Sequence, residues 1–353
     1  MIFSETFEAL TGKIPFPWQI RVFSLLAKGE TPGTVSLPTG TGKTALIPIW
    51  LIALAWQAQH SSTNNLPRRL VWVVNRRVVV DQATDEAVSM VEKLMLSESE
   101  KDERKRDLLL ELKVNLSKLS CLGTAGKVPV AISTLRGQMA DNKEWMLDPS
   151  RPAIVVGTVD MIGSRLLFSG YGDGRSRRPF HAGLLGQDAW IVLDEAHLTS
   201  PFGELLRSVH DAQQRYPRLA PFNISLLSAT QRVSEDGERI TIEPEDEKNP
   251  IIGMRLAAKK RLRIHQLNEK DNEAKKIVEL AAAHSEAKVR VIIYVKSPKT
   301  ATEVSKQLEK TTTKSRCPIR VLTGTLRGFE RDALALTRHS QVFVPILCGS
   351  LRM

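Results

Sequence analysis

The chain has 353 residues and a formal net charge of +11, with 42% hydrophobic and 25% charged residues. This composition is ordinary for a globular protein, and it excludes collagen-like, disordered and disulfide-scaffold chains. At about 150 residues per domain, the length predicts two domains. The part after residue 250 has 21 Lys and Arg against nine Asp and Glu, whereas the first 250 residues have 29 against 30. This asymmetry is compatible with a nucleic-acid partner and with a solvated basic surface.

Cysteine usage and hydrophobic segments bear on the cellular compartment. Cys121, Cys317 and Cys348 are far apart and form no CxxC pair, which argues against a zinc ribbon and fits a reducing cytoplasm. The N-terminal residues lack the basic region and apolar core of a signal peptide. The most apolar window, Leu46–Ala58, is shorter than the about 20 residues that a membrane span requires, and Pro48 interrupts it. We therefore expect a cytoplasmic protein in which this window forms a buried helix.

Short apolar, β-branched runs alternate with longer helix-like segments along the chain. Near-continuous apolar runs suit strands that are covered on both faces, and strands separated by helices indicate a parallel sheet. The predicted strands are Thr34–Leu37, Leu70–Val74, Val128–Ile132, Ala153–Val156, Trp190–Leu193, Ile224–Leu227 and Val289–Val295. The pattern therefore predicts an α/β fold with a parallel sheet flanked by helices.

Two segments interrupt this alternation. Met90–Leu119 is rich in Glu, Lys, Arg and Leu, and it predicts a charged helical insertion at about residues 90–120. Ser234–Pro250 is acidic and poor in apolar residues, which is typical of a linker. We therefore expect one domain at residues 1–250 and a second, incomplete domain at 251–353.

A glycine-rich segment, LPTGTGKT, follows the first predicted strand and precedes a helical segment. Two glycines let backbone N–H groups face phosphate oxygens without a Cβ in the way. The lysine would reach the β- and γ-phosphates, and the threonine after it would bind Mg²⁺. An ordinary glycine loop is the alternative. The predicted ATP-binding residues are Thr39, Gly40, Thr41, Gly42, Lys43 and Thr44.

An acidic motif, Asp-Glu-Ala-His, follows the apolar run AWIVL. A carboxylate pair at the end of a strand is what hydrolysis of Mg·ATP requires. We predict that Asp194 holds Mg²⁺, that Glu195 orients and deprotonates the attacking water, and that His197 links this site to the second domain. An acidic turn that caps a helix is the alternative interpretation.

A third motif, Ser-Ala-Thr at residues 228–230, ends another apolar run, and the hydroxyls of Ser228 and Thr230 could couple the nucleotide to the acidic motif. The three motifs in this order resemble the superfamily 2 helicases, whose motor core is two RecA-like domains with ATP between them. The resemblance implies a RecA-like domain of the P-loop NTPase class, followed by a partial second one. It also implies that Gln19 reads the adenine base.

The same resemblance implies contacts with a nucleic-acid backbone from segments that follow predicted strands. Such contacts position a strand without reading its sequence. Ordinary capped loops are the alternative at each of these positions. The candidate residues are Arg76, Arg77, Arg136 and Thr158.

A closer resemblance rests on PFPWQ, VVNRRVVVDQ, STLRG, GTVD and LTGTLRGFERD. Together these segments resemble the CRISPR-associated helicase of type I interference systems, nearest the I-G or I-U form. The resemblance implies an ATP-dependent enzyme of antiviral defence that translocates on single-stranded DNA, with RNA as the less favoured substrate. It also implies recruitment by a guide-RNA surveillance complex. The nuclease domain of that family is not visible, because the histidines are scattered and His210–Asp211 is an isolated dipeptide.

The residues after Asp332 contain no segment with the late arginines that such a motor places against the γ-phosphate. We therefore expect an N-terminal fragment whose motor is incomplete. Two alternatives remain open. One is another superfamily 2 DEAH helicase, such as an RNA helicase or a restriction-type translocase. The other is a non-catalytic ATP-binding remnant.

Overall fold

A computed structural model of the chain describes residues 2–60, 65–75, 77–121, 128–135, 143–216, 220–229, 238–259, 261–268, 272–284, 291–311, 319–322 and 344–348. The chain divides into two compact units, Met1–Lys259 and Lys260–Met353.

The first unit is built on a seven-stranded sheet in which all neighbouring strands are parallel. Its strands are β1 Thr34–Ser36, β2 Arg69–Val74, β3 Ala131–Leu135, β4 Ala153–Thr158, β5 Ala189–Leu193, β6 Phe222–Ser228 and β7 Arg239–Ile240. Their spatial order is β3-β4-β2-β5-β6-β1-β7. The predicted α/β fold is confirmed, and each of the first six predicted strands overlaps an observed one.

Helices cover both faces of this sheet. They are α1 Phe3–Thr11, α2 Pro17–Ala27, α3 Leu46–His60, α4 Arg77–Met95, α5 Glu103–Ser117, α6 Glu144–Leu147, α7 Val159–Leu166, α8 Arg178–Gly186, α9 Ser200–Gln214, α10 Pro244–Lys248 and α11 Pro250–Leu256. Leu70, Trp72 and Val74 of β2 lie in the core with α1 to α5. Val71 and Val73 lie in the second core, with α6 to α9. A strand buried on both faces explains the continuous apolar run in the sequence.

The apolar window that begins at Leu46 forms α3, whose residues are buried on nearly every side, as predicted. Two buried side chains of α3 have polar groups, and both form hydrogen bonds. The Trp50 indole donates to the Pro67 carbonyl at 2.9 Å, and the Gln57 amide donates to the Leu26 carbonyl at 3.0 Å. Among the described residues, no helix combines the length and apolar character needed to cross a membrane.

The charged segment expected as an insertion contains the end of α4 and all of α5. Asp102 caps α5 by accepting from the Lys105 backbone N–H. Leu109, Leu112 and Leu116 of α5 are fully buried in the core beside α1 and α3. α5 is therefore an amphipathic helix, and its charged residues lie on the face away from the core.

The acidic segment expected as a linker contains β7 and α10, and α11 follows it directly. The boundary expected near residue 250 falls at the first residue of α11, whereas the first compact unit extends to Lys259. Asp246 in α10 is fully buried, although its neighbours in sequence are exposed. The acidic neighbours of Asp246 therefore lie on the exposed surface of α10, which is itself packed within the first unit.

The second unit has a three-stranded parallel sheet with the order β8-β10-β9. Its elements are α12 Glu273–Ala282, β8 Ile293–Val295, α13 Pro298–Thr311, β9 Ile319–Leu322 and β10 Val344–Cys348. The helix predicted at Thr302–Lys310 lies inside α13. Val278 of α12, Val295 of β8 and Val304 of α13 share one small core. This unit is therefore also α/β.

Candidate active site

The glycine-rich segment forms a loop between β1 and α3. Gly40 and Gly42 have φ values of +84° and +81°, in the left-handed region that favours glycine. The Thr41 hydroxyl donates to the Pro38 carbonyl at 2.7 Å, and the Leu37 N–H donates to the Ser228 carbonyl at 3.1 Å. The loop is thus braced internally and against β6, with the predicted residue Thr39 exposed at its surface.

Lys43 begins a short 3₁₀ turn, Lys43–Ala45, that leads into α3. Its Nζ donates to the Leu37 carbonyl at 3.3 Å and lies 3.6 Å from Glu195 Oε1. The ammonium group therefore lies inside the curve of the loop and faces the acidic motif. Thr44 follows it and is half-buried.

The acidic motif directly follows β5. The Asp194 N–H donates to the Val73 carbonyl of β2 at 2.8 Å, which continues the strand pairing by one residue. Glu195 has a φ of +49°, an uncommon conformation for a residue with a side chain, and its N–H donates to Asp194 Oδ1 at 3.0 Å. His197 Nδ1 lies 3.4 Å from Glu195 Oε2. The structure thus brings Lys43, Asp194, Glu195 and His197 into one cluster.

Burial raises the pKa of the Asp194 carboxyl above its ordinary value. The nearby Lys43 ammonium opposes this effect, and the negative charge of Glu195 adds to it. A carboxylate that is short of solvation gains from a nearby cation. Asp194 is therefore suited to bind a positive charge beyond the one that Lys43 provides.

Mg²⁺ is the metal that the fold family implies, and the residues fit it. Thr44 offers a hydroxyl and Asp194 a carboxylate, and oxygen donors of this kind suit Mg²⁺, which is commonly bound by one or two carboxylates together with substrate phosphates. The described residues contain no group of three or more His, Cys, Asp or Glu side chains that could hold a metal ion. The chemistry therefore favours an ion that binds together with the nucleotide.

The order of the strands explains why these motifs meet. β5, β6 and β1 are neighbours, and Ser36 of β1 pairs with Ser228 of β6. The carboxyl ends of parallel strands lie at one edge of a sheet, so the segments that follow β1 and β5 flank the end of β6. Ser228 is fully buried at this edge, and Thr230 lies outside the described residues.

Gln19 and Trp18 of α2 also contact the glycine loop. The Gln19 amide donates to the Gly42 carbonyl at 3.5 Å, and its Oε1 accepts from the Phe16 N–H at 2.8 Å. The indole of Trp18 is fully buried and donates to the Thr41 carbonyl at 3.2 Å. The motif PFPWQ predicts no role for Trp18. Its place directly before Gln19 was the available signal.

Of the predicted nucleic-acid contacts, the structure describes Thr158 and the backbone of Arg77. Thr158 is the last residue of β4 and pairs with Val74, the last residue of β2, while Arg77 is the first residue of α4. They therefore follow the ends of two adjoining strands, at the same edge as the glycine loop. Arg76 and Arg136 lie outside the described residues. His210 and Asp211, the isolated dipeptide, lie on α9 at the surface.

A family model described as the type III restriction enzyme, res subunit, matches residues 8–219. No curated protein sequence matches the chain at a significant level. The DUF1998 helicase MrfA bound to DNA has 14% identity and a TM-score of 0.59, with 99% of this chain and 52% of that chain covered.

Two further solved structures have similar scores. The DEAD-box helicase Mss116 bound to single-stranded RNA and UDP-BeF has 16% identity and a TM-score of 0.58, with 97% of this chain and 63% of that chain covered. The Mycobacterium smegmatis helicase Lhr bound to single-stranded DNA and AMP-PNP has 14% identity and a TM-score of 0.57, with coverage of 97% and 41%. The chain thus spans only part of each of these helicases.

At such low identities the solved structures show a shared fold, which is the RecA-like fold of helicase motors. The family model matches more than half of the chain, including the glycine loop and the acidic motif. The chain therefore belongs to the family of the type III restriction enzyme res subunit, and this match supports an ATP-dependent helicase of superfamily 2.

Proposed function

We propose that this chain is an ATP-hydrolysing motor that acts on single-stranded DNA, of the kind used in type I CRISPR interference. The observation that carries the ATPase part is the placement of Lys43, Asp194 and Glu195 at the ends of β1 and β5, with 3.6 Å between Lys43 Nζ and Glu195 Oε1. A phosphate-binding lysine, a carboxylate for a metal and a carboxylate for a water proton are the groups that this hydrolysis uses.

In this proposal, the backbone N–H groups of the glycine loop and the Lys43 ammonium bind the β- and γ-phosphates of ATP. Thr44 and Asp194 would hold Mg²⁺, which when bound would supply Lewis-acid stabilisation of the developing charge. Glu195 accepts a proton from the attacking water as the water oxygen bonds to the γ-phosphorus. The bond to the β–γ bridging oxygen breaks, and ADP and phosphate leave.

The sheet suggests how nucleic acid and nucleotide are coupled. β2 lies between β4 and β5, so the ends that carry Thr158 and the acidic motif are separated by one strand. The Asp194 N–H is bonded to Val73 of β2, two residues before Asn75. A shift of the acidic motif is thus passed directly to the segment that precedes Arg77. We propose this path, together with the hydroxyls of Ser228 and Thr230, as the coupling route.

The substrate and partner follow from the motif resemblance, which favours single-stranded DNA over RNA, a guide-RNA surveillance complex that recruits the motor, and a cytoplasmic location. Similar helicases are bound to DNA in one structure, to single-stranded DNA in another and to single-stranded RNA in a third. They support a nucleic-acid substrate and leave the choice to experiment.

The family match favours a second candidate function, a restriction-type translocase. If this chain is a motor of that kind that acts on duplex DNA, duplex DNA would stimulate its ATPase activity more than single strands do. An RNA helicase would respond most strongly to single-stranded RNA.

ATP hydrolysis by the purified chain tests these proposals together. The assay compares no nucleic acid, single-stranded DNA, duplex DNA and single-stranded RNA, with Glu195→Gln as the blank. Turnover that single-stranded DNA stimulates most, and that Glu195→Gln abolishes, supports the leading proposal. Stronger stimulation by duplex DNA or by RNA favours the corresponding alternative. No turnover, with ATP binding that depends on Lys43, indicates a non-catalytic ATP-binding protein.

A further inference from the structure

An arginine of α11 lies against the glycine loop. A Cβ placed on Gly40 would be 3.8 Å from Arg255 Nη1 and 3.9 Å from Arg255 Cδ. Arg255 is the sixth residue of α11 and is exposed. Among the described residues, no acceptor bonds to its guanidinium and no carboxylate pairs with it. Arg255 is thus an exposed cation that lies next to the glycine loop and has no protein partner among the described residues.

We infer that Arg255 binds the phosphates of the nucleotide held by the glycine loop, as a second cation beside Lys43. This inference rests on the proposed ATP site and adds a residue to it. A guanidinium offers several N–H donors in one plane, and it pairs with phosphate oxygens in a bidentate manner. Lys43 Nζ lies 3.6 Å from the carboxylate of Glu195, so the guanidinium would add positive charge to a loop whose lysine already has an anionic neighbour.

The helix that carries Arg255 is held close to α10. The Asn249 side chain caps α11 by accepting from the N–H groups of Ile251 and Ile252. A Cβ on Gly253 would lie 2.6 Å from the Glu247 carbonyl oxygen, so only glycine permits this approach of the two helices. Ile252 is fully buried. The position of Arg255 is therefore set by packing and capping of the whole helix.

α10 in turn is bonded to the helix that supports the loop. Asp246 Oδ1 accepts from the Trp18 N–H at 2.7 Å, and its Oδ2 accepts from Arg21 at 2.8 Å and from the Glu243 N–H at 3.0 Å. The Trp18 indole donates to the Thr41 carbonyl of the loop. A continuous series of contacts thus connects the glycine loop through Trp18 to Asp246 of α10 and then to α11. Arg255 of α11 in turn lies against the glycine loop. Such a path positions a guanidinium for a ligand of the loop.

Direct nucleotide binding to the full chain tests this inference. Affinities for ATP, ADP and AMP are measured by competition against a fluorescent nucleotide, for the parent and for Arg255→Ala. The matched control is Lys248→Ala, which removes one exposed positive charge from α10. We expect Arg255→Ala to weaken ATP binding about tenfold or more, the size of a lost charge-assisted hydrogen bond, and to weaken AMP binding least. The control should leave all three affinities unchanged.

A second variant tests the role of the helix position. Gly253→Ala keeps Arg255 but displaces α11, so it should weaken ATP binding in the parent and have no further effect in Arg255→Ala. Equal losses in both backgrounds would overturn the inference, because the helix would then act without Arg255.

The remaining outcomes separate this inference from the proposed function. If Arg255→Ala binds ATP like the parent while Lys43→Ala does not, the inference is wrong and the ATP site stands. If the parent binds no ATP, the proposed function is wrong and the inference is overturned with it. If Arg255→Ala weakens ATP and AMP equally, Arg255 does not bind the outer phosphates, and the inference is also wrong.

Discussion

Lys43 Nζ lies 3.6 Å from Glu195 Oε1, so the lysine that we propose to bind phosphate and the carboxylate that we propose to accept a water proton form an ion pair. Glu195 reaches this position with a φ of +49°, a backbone conformation that costs about 1 kcal/mol for a residue with a side chain. Such a cost is found where function requires a side chain in one direction. A triphosphate that binds Lys43 must therefore exchange one anionic partner of the lysine for another.

This exchange leads to a prediction for Glu195→Gln. Removing the competing charge should leave ATP binding intact or tighten it, by up to about 1 kcal/mol or fivefold, while hydrolysis is lost. Titration with a fluorescent ATP analogue measures the affinity, and phosphate release measures turnover. Lys43→Ala is the control and should abolish binding. Weaker binding by Glu195→Gln would show that the carboxylate supports the nucleotide site and does not compete with it.

The raised pKa of Asp194 predicts a gain in stability for Asp194→Asn. The folded state holds the proton of this carboxyl more tightly than the unfolded state does, so ionised Asp194 lowers the free energy of unfolding at neutral pH. We expect Asp194→Asn to raise the melting temperature at pH 7.5, and to lose that advantage as the pH falls to the ordinary range of a carboxyl pKa. ATP hydrolysis should be lost.

Thermal melting from pH 4 to pH 8 measures this difference, and Asp211→Asn on the exposed face of α9 is its control. The control should change neither the melting temperature nor its pH dependence. An unchanged or lower melting temperature for Asp194→Asn at neutral pH would contradict the prediction, because burial would then not oppose the charge.

The loop between β1 and α3 was predictable because its determinants are local. Glycines at 40 and 42, the apolar strand before them and the helix after them all lie within one short segment. The strand β3 was predicted too early, at Val128–Ile132, because its later residues include Ser133 and Thr134. Ser133 is fully buried and accepts from the Trp145 N–H at 3.3 Å, which gives a polar residue a place in the core.

The contacts that support the site were not predictable from local patterns. Trp18 and Asp246 are separated by 228 residues, and nothing near Asp246 distinguishes it from the exposed acids around it. Composition alone therefore predicted a linker where the structure has a short strand and a capped helix, with a second capped helix directly after them. For the same reason, the sequence presented Arg255 only as one of the many basic residues after residue 250. Which charges are buried or aimed at a site depends on partners that the fold brings from far along the chain.

Trp18→Phe tests the support of the loop by its indole. The change keeps the aromatic ring in the core but removes the hydrogen bond to Thr41, so we expect a loss of about 1–3 kcal/mol in stability and weaker ATP binding. Trp50→Phe is the matched control. It removes a buried hydrogen bond from the indole of Trp50, in α3, to the Pro67 carbonyl, which lies away from the loop. Denaturant unfolding should show similar losses for both variants, and only Trp18→Phe should weaken ATP binding. Equal ATP affinities for the two variants would contradict the role of Trp18.

Asp246→Ala tests whether the acidic segment belongs to the site. It leaves the N–H groups of Trp18 and Glu243 without their acceptor, at a cost of about 2–4 kcal/mol in the free energy of unfolding, and it should weaken ATP binding. Asp188→Ala is the control, because Asp188 pairs with Arg68 before β5 begins, at the opposite edge of the sheet. Denaturant unfolding should show a loss for both variants, while only Asp246→Ala should change the ATP affinity. Parental ATP affinity in Asp246→Ala would mean that α10 and α11 stabilise the fold without shaping the nucleotide site.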